Sequence, residues 1–137
     1  LAKERGIIIE YGATNKKGAY TNLIQTKVTT KNQENSITGS VFDGNQLRLV
    51  NILGYEIDLN PTGNMLFVKN KDVPGVIGKV GTLLGKHEIN IGAYLLSNAE
   101  HHAEAFAAIR LDSQAPADVL DLLMEIPEII SVQQLRC

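Results

Sequence analysis

A chain of 137 residues with 44% apolar side chains can form one ordinary domain or two small ones with a real core. Its formal charge of -2 divides into +1 over residues 1–60 (seven basic, six acidic) and -3 over 61–137 (six basic, nine acidic), so neither half has the basic surface that nucleic acid or an anionic membrane requires. Cys137 is the only cysteine, which excludes an intramolecular disulfide framework and a thiolate zinc cluster; with no bilayer-length apolar run and no signal-peptide pattern, the expected compartment is the cytoplasm.

The opening, Leu1-Ala2-Lys3-Glu4-Arg5-Gly6, reads as the last turn of a helix, with Lys3 and Arg5 suited to its negative end and Gly6 as its C′ residue. A helix that ends so early, in a chain without an initiating methionine, leads us to expect an upstream segment and a truncated first domain. Residues 6–11, rich in β-branched isoleucine, read as a strand and residues 12–20 as a loop. Residues 21–31 alternate as a half-buried strand does. Strands at 36–42, 46–52 and 55–59 follow, separated by Asp43-Gly44-Asn45 and by Gly54, both hairpin signals. This half is a small antiparallel sheet. Asn60-Pro61-Thr62-Gly63, four turn-prone residues, marks the expected boundary between domains 1–60 and 61–137.

Beyond it, one pattern occurs twice. Residues 65–68 form a strand, and a helix over 74–86 starts with Pro74 at its first position and lines up Ile77, Val80, Gly81 and Leu84 on one face. A strand at 89–96 follows. Next come a strand at 103–111, a helix at 116–126 with Val119, Leu122, Leu123 and Ile126 at helical spacing, and a strand at 129–135. Two tandem βαβ units define a ferredoxin-like βαββαβ fold, an antiparallel sheet with both helices on one face, and the chain as a whole is α+β. On residues 103–112 the odd positions are small or apolar and suit the helix side. The even positions, Glu104, Phe106, Ala108, Arg110 and Asp112, form a mixed face that fits another domain or a second copy of the chain.

Chemistry concentrates at Asn70-Lys71-Asp72-Val73-Pro74-Gly75, which leads from the first of these strands into its helix. Unpaired amides at the helix N-terminus suit a carboxylate and Asp72 suits an α-ammonium group, the features of an amino-acid site; alternatively, Asp72 caps the helix. Asn90, at the start of the next strand, is expected beside this bend or is a turn residue. Gly75, Gly78, Gly81 and Gly85 lack the G-x-G-x-x-G spacing of a dinucleotide loop and read as a helix stripe in close approach to the sheet or to a neighbour, so no cofactor is expected on this chain. His87, His101 and His102 have no metal-ligand spacing, and no serine sits in a nucleophile motif, so no metal and no catalytic residue are expected here. Arg48 and Arg110, charges within apolar strands, either face water or hold an anion through forked N–H donors.

The run Val68-Lys69-Asn70-Lys71-Asp72-Val73-Pro74-Gly75-Val76-Ile77-Gly78, followed by Ile89-Asn90-Ile91, resembles an ACT domain, the amino-acid-binding regulatory module of metabolic enzymes. Upstream, Tyr20-Thr21-Asn22-Leu23-Ile24, Thr38-Gly39-Ser40-Val41-Phe42 and the run from Arg48 to Asp58 resemble the intervening, allosteric substrate-binding domain of the long bacterial D-3-phosphoglycerate dehydrogenases. The resemblance implies a parent enzyme that oxidises 3-phosphoglycerate with NAD in the first step of L-serine synthesis. It also implies feedback by L-serine bound between ACT domains of two subunits, hence a homo-oligomer. By the same resemblance the serine-contacting positions are Asn70, Asp72 and Asn90, and an anion site would keep Arg48 and Arg110. Asn70 stands where some relatives carry His or Tyr, and Tyr55 and Asn60 stand where some carry basic residues. Two alternatives share parts of this pattern: the β chain of an iron–sulfur L-serine dehydratase and a free-standing ACT sensor. An RNA-binding ferredoxin-like domain is disfavoured by the 5% aromatic content.

Overall fold

The computed structural model describes residues 3–10, 12–13, 22–98 and 103–137. Lys3–Arg5 form a single 3-10 turn closed by Gly6 at φ 68, the left-handed conformation that glycine adopts without penalty. The expected strand at 6–11 does not form over its described part. Ile7, Ile8 and Ile9 are 53%, 85% and 56% exposed, and a β-branched run has no strand ladder without a neighbour to pair with. Most of the loop expected at 12–20 lies outside the described residues, as do His101 and His102.

The first sheet is an antiparallel meander of β1 (Leu23–Thr29), β2 (Glu34–Phe42), β3 (Gln46–Ile52) and β4 (Tyr55–Leu59) in that spatial order. Its two later hairpins follow the turn chemistry. Leu53 and Gly54 both take positive φ between β3 and β4, which matches the twist of the strands they join, and the Gly54 N–H donates to Asn51 Oδ1 at 3.1 Å. Gly44 and Asn45 do the same between β2 and β3. β1 departs from the half-buried strand expected at 21–31: it is an edge strand, exposed along its whole length.

The second sheet contains β5 (Asn64–Lys71), β6 (Ile91–Asn98), β7 (Glu104–Leu111) and β8 (Ile129–Arg136) in the order β6-β7-β5-β8, every pair antiparallel. Helices α1 (Val76–Lys86) and α2 (Ala117–Met124) share one core with one face of this sheet. That is the ferredoxin-like βαββαβ order, and the first sheet ends and the second begins on either side of residues 60–63. The helix-side core joins Leu66 and Val68 of β5 to Ala107 and Ile109 of β7, with Val80, Leu84, Val119 and Leu123 from the helices. Gln134 closes the loop before α2 with a paired amide contact: its Oε1 accepts from Ala115 N at 2.8 Å and its Nε2 donates to Ala115 O at 3.1 Å.

Two features of α1 differ from the sequence reading. The helix starts at Val76, and Gly75, at φ 93, is its N-cap, so Pro74 lies outside it. The buried stripe is Val76, Val80 and Leu84, whereas Ile77 is half exposed. A Cβ added at Gly78, Gly81 or Gly85 would meet nothing within 4 Å. Close approach of this stripe to its own sheet is therefore not what those glycines serve.

The opposite face of the second sheet is covered. Met65, Phe106 and Ala108 form a second buried cluster with Ile52, Tyr55, Ile57 and Leu59 of the first sheet, and Leu49, Phe67 and Leu95 pack around it. The mixed even face of β7 thus meets the meander of its own chain. Phe106 lies between two rings, stacked on Tyr55 at 5.3 Å and on Phe67 at 5.9 Å between centroids.

Candidate functional site

Where β5 leaves the sheet and turns into α1, a cavity of about 340 Å³ is lined by Asn70, Asp72, Val73, Pro74, Gly75, Val76, Ile77, Gly78 and Leu96. Three backbone hydrogen bonds shape the bend. Lys71 N donates to Glu128 O at 2.8 Å, Asp72 N to Ala103 O at 2.9 Å, and Val73 N to Lys71 O at 3.0 Å. Gly75 allows the sharp entry into the helix because its left-handed backbone strains any other L-residue. Gly75 occupies the N-cap position and, having no side chain, makes no capping hydrogen bond of its own, so Asp72 is not the N-cap residue. Val76, Ile77 and Gly78 of the first turn of α1, whose amides have no intrahelical acceptor, are among the residues that line the cavity.

Asn70 is the polar group built most deeply into this wall, at 3% exposure. Its Nδ2 donates to Lys71 O at 2.7 Å, while its Oδ1 is buried without a partner. A buried acceptor left unpaired costs about 1–3 kcal/mol, and such an atom is a docking point for a donor arriving from outside. Asn70 and Asp72 therefore come together as the sequence suggested. Leu96 at the end of β6, together with Val73 and Ile77, forms an apolar wall that sequence reasoning missed. The signal was present in the outward position of Ile77 on α1, but the periodicity also allowed the opposite rotation.

Asn90 does not join them within one copy. β5 and β6 both run antiparallel to β7, so their starts share one end of the sheet, where Asn64 and Ile91 both pair with Leu111. Asn90 precedes that end and exchanges backbone contacts with Asp112, donating to its Oδ1 at 3.1 Å and accepting from its N–H at 3.1 Å. Asn70 lies a strand length away, about 20 Å at the rise of a β-strand. The expectation that Asn90 adjoins the β5 bend is corrected by strand direction.

The two arginines sit on different sheets. Arg48 donates through Nε to Asp58 Oδ1 at 2.7 Å across β3 and β4, so part of its fork is already engaged. Arg110 is exposed and lies over Gly92, where an added Cβ would come within 3.4 Å of its Nε. Near the bend, Lys69 pairs with Glu104 at 2.6 Å, and that hydrogen bond raises the lysine's pKa against the opposing effect of burial, with Tyr55 adding to the rise. Lys79 of α1 pairs with Glu128 at 2.6 Å, which holds the Glu128 carboxyl below the usual carboxylate range. Gly78, Gly81 and Gly85 stand inside α1 and Gly75 at its head, without the spacing of a dinucleotide loop.

The topology is that of a ferredoxin-like βαββαβ domain, one sheet face of which carries a β-meander. Residues 1–53 match the family model described as the D-3-phosphoglycerate dehydrogenase intervening domain. The chain is 32% identical over 133 residues to a D-3-phosphoglycerate dehydrogenase of Bacillus subtilis, covering 97% of this chain and 25% of that protein. It is 30% identical over 132 residues to one of Methanocaldococcus jannaschii, covering 96% and 25%. A solved ACT domain from GTP pyrophosphokinase of Chlorobium tepidum is similar at a TM-score of 0.43 and 17% identity, over 54% of this chain and 97% of that one. Residues 1–53 are thus similar to that intervening domain, and nearly the whole chain is similar to one part of the D-3-phosphoglycerate dehydrogenases. It spans about a quarter of the length of the curated relatives it matches.

Proposed function

We propose that this chain is the L-serine-sensing regulatory part of an NAD-dependent enzyme that oxidises 3-phosphoglycerate to 3-phosphohydroxypyruvate, the first step of L-serine synthesis. NAD and the catalytic residues belong to the parent enzyme. The observation that carries the reading is the buried, unpaired Oδ1 of Asn70 beside Asp72 and the α1 N-terminus. A free amino acid matches that set. Its carboxylate suits the first-turn amides of α1, and its ammonium group suits Asp72 and the Asn70 carbonyl oxygen. The dehydrogenases among the relatives favour this reading over a serine dehydratase chain.

Asn90 enters the site from a second copy. Among the described residues β6 is an edge strand with no strand paired on its outer side, where a further strand could add. Antiparallel pairing of two β6 strands about a dyad near Tyr94 sets Asn90 of one copy beside position 98 of the other, next to the Leu96 wall. Each of the two equivalent pockets is then closed by the other subunit. A ligand held by both subunits shifts only those equilibria whose states differ in affinity for it, which is the basis of feedback here.

The test is calorimetric titration of the chain with L-serine, with glycine and L-alanine as comparators and sedimentation to establish the dimer. Binding of L-serine that weakens in both Asp72→Ala and Asn90→Ala is the expected result. A verified dimer that gives no heat, or two variants that bind like the parent, refutes the assignment.

A further inference from the structure

We infer that the amino-acid pocket and the first sheet move as one unit, so that occupancy of the β5–α1 bend is relayed to β3 and β4 through the stack of Phe67, Phe106 and Tyr55. This inference rests on the ligand reading of that pocket.

The relay begins in the strand that lines the cavity. Asn70 pairs in register with Ala105, and Lys69 with Phe106, so the residue holding the orphaned acceptor is one step from the position facing the inter-sheet ring. The bend is also tied to the head of β7, by Asp72 N on Ala103 O at 2.9 Å and by the Lys69–Glu104 ion pair at 2.6 Å. A displacement of the bend that follows ligand binding therefore pulls on 103–106. Phe106 cannot absorb it locally. It is 3% exposed, its ring lies 5.3 Å from Tyr55 and 5.9 Å from Phe67 with interplanar angles of 18° and 20°, and Tyr55 is itself 6% exposed at the head of β4. Ile52, Ile57 and Leu59 fill the remaining space in the same cluster. A core at crystal-like density transmits such a shift instead of deforming around it. The tether between the sheets at 60–63 is thus not a free hinge, because a shared buried core bridges it.

Hydrogen exchange on the whole chain, with and without saturating L-serine, tests the relay. The expected result is slower exchange at 72–78, in the bend, together with slowing of about threefold or more at 52–59 in the first sheet. Tyr55→Leu keeps an apolar side chain in the cluster but removes the ring, and is expected to retain the change at 72–78 and lose that at 52–59. Glu104→Gln, a change at a partly exposed position, serves as the second variant and is expected to reduce the remote slowing. Slowing confined to 72–78 in the parent protein, or remote slowing unchanged in both variants, overturns the relay and leaves the ligand reading intact. No slowing anywhere overturns both.

Discussion

Asn70 and Asn90 stand at opposite ends of the same sheet, although the sequence reading places both at one ligand site. Strand direction separates them within a copy, and the proposed dyad between two β6 edges would reunite them.

That geometry predicts complementation between subunits. Asp72→Ala and Asn90→Ala each lose L-serine binding as separate proteins. Unfolding and refolding them together yields mixed dimers in which one of the two pockets has both residues intact, so about a quarter of all pockets in a statistical mixture recover, by the isologous symmetry of the pair. Titration of the mixture measures that fraction. Recovery that is absent despite verified mixed dimers places both residues in one copy's pocket.

Asn70→Leu is expected to raise the stability of the ligand-free chain by about 1 kcal/mol, because it removes the buried oxygen that lacks a partner. The same change abolishes binding. Urea denaturation and calorimetry on one preparation read both effects, and an unaltered or lower stability shows that the Asn70–Lys71 contact outweighs the orphaned oxygen.

Phe106→Ala empties the centre of the inter-sheet cluster and is expected to cost about 3–5 kcal/mol in denaturant unfolding, the range for truncating a buried aromatic ring. In the parent protein the two sheets are expected to unfold in one transition because they share this cluster. A chain of residues 61–137 alone bares Met65, Phe106 and Ala108, and is expected to bind a hydrophobic dye and self-associate. A monomeric, dye-free fragment would show instead that the second unit is autonomous.

The Lys79–Glu128 pair sets a pH dependence. The folded-state pKa of Glu128 is depressed, chiefly by its hydrogen bond from Lys79, so the fold binds fewer protons there than the unfolded chain does. Its contribution is complete above the unfolded carboxylate pKa and is lost as pH falls through the lower folded value. Thermal melts between neutral and strongly acidic pH should show Glu128→Gln converging on the parent protein at the acid end. Lys69 has the opposite sign. Its pKa is raised, so its contribution is present below the ordinary lysine value and disappears as pH rises beyond it.

Much of this architecture was legible in the residues. The short spacing of the strands β2 to β4, the Gly44 and Gly54 turns between them and the helical spacing of Val119 and Leu123 are local signals, and local signals survive without knowledge of the fold. Ile7 to Ile9 show the limit, since strand propensity without a paired strand leaves an exposed segment with no assigned strand. Ile77 shows another. Val76 and Ile77 both fit an apolar stripe, and only the rotation of α1 on β5 and β7 selects Val76 for the core.

By itself, the sequence determined the order of the strands and helices from β1 onward and the polar bend of Asn70 and Asp72, because each depends on backbone and side-chain preferences within a few residues. The tertiary structure alone decided that Asn90 lies a strand length from that bend, that the acceptor of Asn70 is buried and unpaired, and that Phe106 meets Tyr55 of its own chain. Those are relations between residues far apart in sequence, set by strand direction and by which apolar faces must cover one another, and no local pattern encodes them.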